Sequence, residues 1–209
     1  PKILLTKIFL LGGLITIPTV SVQQFVLSLI KTDYFTSASL FLVISLFLMA
    51  FIEESAKFLV VKFGILKDKE FDEPIDAMIY MMTSALGFAA AENFLTLIFV
   101  SNENFFNITT TIIWENVLQI SLVRFLGATL LHALCSGIIG FVIGLSFHKK
   151  KEKYITIGLL VATILHALYN LSIMKLEVGW DILNPFILLI ILFLVISFCF
   201  KKLRNNNNE

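Results

Sequence analysis

Six long, mostly apolar stretches divide this chain, at about residues 8 to 30, 39 to 64, 76 to 100, 121 to 147, 154 to 174 and 182 to 200. A helix needs about 20 such residues to cross a hydrocarbon core of roughly 30 Å. Inside lipid every backbone N–H and C=O must be satisfied within the protein, which leaves helices as the natural form for runs of this length. The expected fold is therefore all-α, a polytopic transmembrane helix bundle of about six spans, with seven as the competing count. Composition points the same way. Hydrophobic residues make up 58% of the 209 and charged residues 15%, against about 45 to 50% and about 25% in soluble domains. A formal net charge of +1 leaves no basic field for nucleic acid, which is not an expected partner. Cys135 and Cys199 both sit in apolar runs and form neither a disulfide framework nor a CxxC knuckle.

The breaks between stretches carry the charge. Lys62, Lys67 and Lys69 follow the second stretch, Lys149, Lys150, Lys151 and Lys153 the fourth, and Lys201, Lys202 and Arg204 the sixth. The intervening loops hold Lys31 and Lys175 as their basic residues. Under the positive-inside rule the lysine-rich breaks are cytoplasmic, and strict alternation then puts both termini in the cytoplasm. Lys2 and Lys7 precede the first apolar run without a clean small-residue cleavage site, so this segment reads as an uncleaved first helix. Trp114, Glu115 and Gln119 form an amphipathic stretch suited to the external interface before the fourth span. Gly127, Gly137, Gly140 and Gly144, with Ala128 and Ser136, give that span a small face for close helix packing.

Polar groups stand where they are costly. Glu53, Glu54, Lys57, Glu92, Asn93, Arg124, His132, His166 and Asn170 all lie in apolar surroundings, and one charge at mid-bilayer costs on the order of 2.5 to 3.5 kcal/mol or more. The plain reading is an ion-pair network, because Lys57 lies within helical reach of both Glu53 and Glu54. Two histidines and three carboxylates nevertheless exceed what one Lys and one Arg neutralise; a bound cation would complete the balance. At 1.5 Å per residue, Glu92, His132 and His166 fall about 12 to 14 Å from the external ends of their spans, whereas Glu53 comes out near 20 Å. Two imidazoles and a carboxylate at one level suit Zn²⁺ with a fourth position for water. Glu53 or Glu54 would then take a proton from that water and pass it to a leaving amine. Adjacent helical residues point about 100° apart, so one of the two can face the site while its neighbour pairs with Lys57. Asn170, four residues after His166, can face the same site and orient a ligand or stabilise an oxyanion. Arg124 reads as an interfacial anchor, His148 as a solvated neighbour of the basic cluster, and the run Asp68, Glu70, Asp72, Glu73 and Asp76 as an N-terminal cap for the third span.

These residues resemble the PrsW family of intramembrane metalloproteases, distantly similar to the CAAX prenyl protease and bacteriocin-processing superfamily. The matching segments are Glu53-Glu54-Ser55-Ala56-Lys57, Phe71-Asp72-Glu73-Pro74-Ile75-Asp76, Gly87-Phe88-Ala89-Ala90-Ala91-Glu92-Asn93, His132-Ala133-Leu134 followed by Ser136-Gly137, and His166-Ala167-Leu168-Tyr169-Asn170. They cover about residues 50 to 172 in the family's order. The resemblance implies that Glu92, His132 and His166 hold the metal, that Glu53 and Glu54 supply the general base and its support, and that Lys57, Asn93 and Asn170 assist. It further implies one integral membrane domain over 1–209 with a catalytic core at about 39–174, in a prokaryotic cell membrane. The implied activity is zinc-dependent hydrolysis of peptide bonds in membrane-anchored proteins, with regulatory substrates of the anti-sigma-factor kind. Ala77 stands where the family commonly has Gly, a change expected to alter loop packing rather than chemistry.

Other function classes fit parts of the pattern. A proton- or ion-coupled transporter would use the same Glu and His as a relay, but no internal repeat of the transporter kind is present. A catalytically silent binder of membrane proteins would be indifferent to loss of Glu53. A prenyl-protein endopeptidase would use similar groups, and Glu92, where those enzymes usually have His, argues against it.

Overall fold

The computed structural model describes residues 2–30, 37–105, 124–147, 153–174 and 183–206. Six helices in it are long and apolar enough to cross a membrane. They are α1 (Lys2–Leu29), α2 (Ala38–Gly64), α3 (Pro74–Phe105), α4 (Thr129–Ser146), α5 (Lys153–Met174) and α6 (Leu183–Asn206), and a π-helical turn, Arg124–Ala128, runs directly into α4. No strand occurs among the described residues. Trp114, Glu115, Gln119 and His148 lie outside the described residues, as does the stretch on which a seventh crossing would depend.

Local chemistry sets the helix ends. The Ser37 hydroxyl accepts the Leu40 N–H at 3.2 Å and caps α2. At the other end the Lys7 ammonium donates to the Gly64 carbonyl at 3.1 Å, satisfying an acceptor that the helix leaves open. Helix α3 opens on Pro74, whose missing N–H costs nothing at a first helical position, and the Asp76 carboxylate accepts the Glu73 N–H at 3.1 Å. Helices run further than the apolar stretches: α3 continues to Phe105, and α6 continues through Lys201, Lys202 and Arg204. Charge marks the edge of the apolar segment, whereas lysine and arginine are good helix formers that let the backbone continue.

Helix α4 is the centre of the bundle. Of the most apolar window within Leu126–Ser146, 61% is buried, against 33% or less for the corresponding windows of the remaining five. Its small face allows this. A Cβ added at Gly140 would overlap the backbone of Ala77 and Met78 on α3, and one at Gly144 would overlap the Pro74 carbonyl. Ala77 is itself fully buried at this contact inside α3, so it packs helix against helix rather than shaping a loop. On the other side of α3, Gly87 meets the Phe9 carbonyl of α1 with the same lack of room. Hydrogen bonds tie the layers: the Thr16 hydroxyl donates to the Phe88 carbonyl at 3.4 Å, and the Ser84 hydroxyl to the Lys57 carbonyl at 3.2 Å. Exposed Phe186, Phe193 and Phe198 give α6 an apolar outer face, suited to lipid.

Candidate metal centre

Four helices bring their polar residues to one place. Helix α2 carries Glu53, Glu54 and Lys57, α3 carries Glu92, α4 carries His132 and Ser136, and α5 carries His166 and Asn170. A cavity of about 320 Å³ opens among them, lined by Glu53, Glu92, His132, His166, Tyr169 and Asn170 together with apolar side chains.

The adjacent glutamates divide their work. Glu54 is fully buried and saturated: it accepts Lys57 Nζ at 2.6 Å, the Ser136 hydroxyl at 2.9 Å and His166 Nδ1 at 2.9 Å. Glu53, about 100° round the helix, faces the cavity. Its Oε1 accepts the Gln23 amide of α1 at 2.8 Å. Its Oε2 is buried without a hydrogen-bond partner, 3.6 Å from His166 Nε2 and 3.9 Å from His132 Nδ1. A buried carboxylate oxygen facing two imidazoles without a donor is costly unless a cation or water completes it.

The histidines are held by their outer partners. Because His166 Nδ1 donates to Glu54, its proton is fixed there and Nε2 keeps its lone pair toward the cavity, the carboxylate–histidine arrangement common behind metal ligands. His132 meets Lys57 Nζ at 2.8 Å through Nδ1 and Glu92 Oε2 at 2.8 Å through Nε2. The Lys57 ammonium also lies 4.9 Å from the centre of the Phe88 ring. The ammonium can only donate, so His132 Nδ1 accepts from it and Nε2 carries the ring proton that Glu92 accepts; a metal held at Nε2 would have to displace that proton. One ligand atom from each of Glu53, His132 and His166 lies within 4.8 Å of the others. The donor set of two imidazoles and carboxylates therefore fits a divalent cation of the zinc type.

The depth count separated Glu53 from the other three residues, yet its carboxylate reaches both imidazoles. Helix α3 extends past Val100 to Phe105, which puts Glu92 about 20 Å from that end, close to the value for Glu53. The remaining offset requires helices that are staggered or inclined relative to one another, which a count along each helix cannot register.

The assisting residues separate. Lys57 bridges Glu54 and His132, and Asn170 lines the cavity. Asn93 instead donates to the Thr129 hydroxyl at 3.1 Å, joining α3 to the start of α4. Arg124 opens the π-helical turn. Cys135 and Cys199 are free and buried. Three contributors escaped the sequence reading. Gln23 was legible only as one polar residue in an apolar run, Ser136 as a small packing residue, and Tyr169 as a member of the second histidine motif without a role.

Comparison with known proteins agrees with this geometry. The sequence model described as PrsW family intramembrane metalloprotease matches residues 1–198. Protease PrsW of Oceanobacillus iheyensis is 27% identical over 208 residues, covering 99% of this chain and 86% of the relative. Protease PrsW of Clostridioides difficile is 26% identical over 213 residues, covering 100% and 83%, and that of Geobacillus kaustophilus is 30% identical over 172 residues, covering 81% and 67%. No solved structure shows a significant match. With a family match over nearly the whole length and a Glu/His/His cluster enclosed by membrane-length helices, the chain belongs to the PrsW family of intramembrane metalloproteases.

Proposed function

We propose that this intramembrane protease is a zinc enzyme that cuts peptide bonds in membrane-anchored regulatory proteins, of the anti-sigma-factor kind, from a single membrane domain with its catalytic core at about 39–174. In this reading His132, His166 and Glu92 hold the ion and Glu53 is the general base. The observation that carries it is the partnerless Oε2 of Glu53, buried between two imidazoles. When bound, the ion supplies a Lewis acid that polarises a peptide carbonyl and acidifies water. Glu53 Oε2, with no other donor to satisfy, takes the proton of the attacking water and returns it to the departing amine. Gln23 holds the other oxygen of Glu53 and so aims the free one. Glu54 fixes the His166 tautomer, and Lys57 pairs with Glu54 and holds it in place. The Asn170 amide, on the cavity wall, is a donor for the oxygen that gains charge as the carbonyl is attacked.

A second assignment, with Glu53 rather than Glu92 completing the ligand set, is favoured by the mutual reach of Glu53, His132 and His166. One experiment separates the two. Elemental mass spectrometry of the full chain, purified in detergent without chelator, should find zinc in about equimolar amount, and Glu92→Gln, His132→Ala and His166→Ala should lose it. Glu53→Gln should keep the metal and lower hydrolysis by about 10²- to 10⁴-fold. Zinc lost in Glu53→Gln but kept in Glu92→Gln selects the second assignment. Undiminished hydrolysis by metal-stripped protein overturns both.

A further inference from the structure

A membrane-embedded substrate must reach a polar cavity enclosed by helices, and the structure offers a path beside it. Val43, Leu46 and Phe47 on α2 face Ile164, Leu168 and Leu171 on α5 across a crevice of about 150 Å³ whose lining is entirely apolar. The spacings of three and four residues put each trio along one helical face. The crevice opens outward, since Val43, Ile164 and Leu168 are each nearly half exposed. It adjoins the catalytic cavity, from which Leu46 separates it: that side chain belongs to the walls of both. On α5 the catalytic residues His166 and Asn170 and the crevice residues occupy neighbouring faces of one helix. Another large exposed apolar surface, with Phe193 and Phe198 on α6, contributes nothing to the cavity wall.

We propose that the α2–α5 crevice is the docking groove and lateral entrance for the apolar membrane-spanning segment of the substrate, with Leu46 as the partition over which the scissile stretch passes. This rests on the proteolytic reading above. Any acyl chain can cover an apolar groove, but only a peptide has use for one that leads to carboxylates and imidazoles. A helical peptide has its carbonyls hydrogen-bonded internally. Bonds presented to the cavity must therefore come from an unwound end of the segment, while its apolar remainder lies against Val43, Ile164 and Leu168.

The test uses the full chain in vesicles of phosphatidylethanolamine and phosphatidylglycerol, with a lysine-flanked Leu/Ala single-span peptide as probe. A photo-crosslinking residue is placed at Ile164 or Leu168, or at Phe193 or Phe198 as controls, in the Glu53→Gln background to prevent turnover. Groove positions should capture the peptide about tenfold better than the α6 positions, equivalent to about 1.4 kcal/mol of preference. Val43→Trp, bulk added at a 46% exposed site, should cut both capture and, with Glu53 intact, cleavage; Val195→Trp, at a 44% exposed site on α6, should change neither. Equal capture from α6, lipid adducts alone at the groove, or full cleavage by Val43→Trp overturns the groove while leaving the protease reading intact. Groove-selective capture with no cleavage of the peptide by the metal-loaded parent counts instead against the proposed substrate class and leaves the groove standing.

Discussion

Glu53 and Glu54 are chemically identical neighbours, and their surroundings make them different reagents. Three donors saturate Glu54, whereas Gln23 satisfies one oxygen of Glu53 and leaves the other facing the imidazoles. Sequence spacing alone shows that the pair must diverge by about 100°; which of the two faces the cavity depends on where Lys57, Ser136 and His166 converge. Removing Gln23 tests how much the aim of Glu53 matters. Hydrogen bonds to charged groups are worth about 1.5 to 3 kcal/mol, so Gln23→Leu should lower kcat by about 10- to 100-fold while KM and zinc content stay near those of the parent. A kcat within twofold of the parent would refute the positioning role. Lys57→Met should act on stability, because it strips a fully buried carboxylate of its cation. Breaking such a pair costs about 3 to 5 kcal/mol, which thermal unfolding in detergent would register as a large fall in Tm.

At the scale of helices, glycine placement fixes how closely α4 approaches α3 and hence whether His132 meets Glu92. Overpacking of a close contact costs about 1 to 3 kcal/mol, so Gly140→Leu should lower Tm and weaken zinc affinity together, since α3 carries Glu92 and α4 carries His132. Loss of stability with unchanged zinc affinity would separate the contact from the site. The π-helical turn gives a finer test. A Cβ at Gly127 would meet the Tyr169 hydroxyl of α5, and π turns recur beside functional sites. Gly127→Ala should therefore destabilise, and adding Tyr169→Phe, which removes that hydroxyl, should recover most of the lost Tm; additive losses would mean that the two residues do not interact. The small face of α4 was legible as a packing surface, but the Ser136 bond to Glu54 was not, because a serine among glycines and alanines reads as small before it reads as polar.

For the whole molecule, the lysine-rich breaks predict an orientation that reporter fusions can check. A fluorescent protein fused after Asn206 should fold and fluoresce, as it does in the cytoplasm, and a phosphatase active only outside the cytoplasm should stay inactive at the same position. The reverse pattern would invert the topology. What the sequence by itself determined was the class of solution. Six apolar runs of membrane length required helices, because lipid offers the backbone no other hydrogen-bond partner. The buried Glu, His and Lys residues announced a site, because such groups are too costly in lipid to be idle. Only the tertiary structure decided how those residues divide the work. Glu53 rather than Glu54 faces the cavity, Gln23 on α1 holds it, Lys57 takes one nitrogen of His132 and leaves the other to Glu92, and an apolar crevice between α2 and α5 lies beside the cavity. Those assignments depend on the stagger and closeness of helices distant in sequence, and spacing along one helix carries no information about where another helix stands.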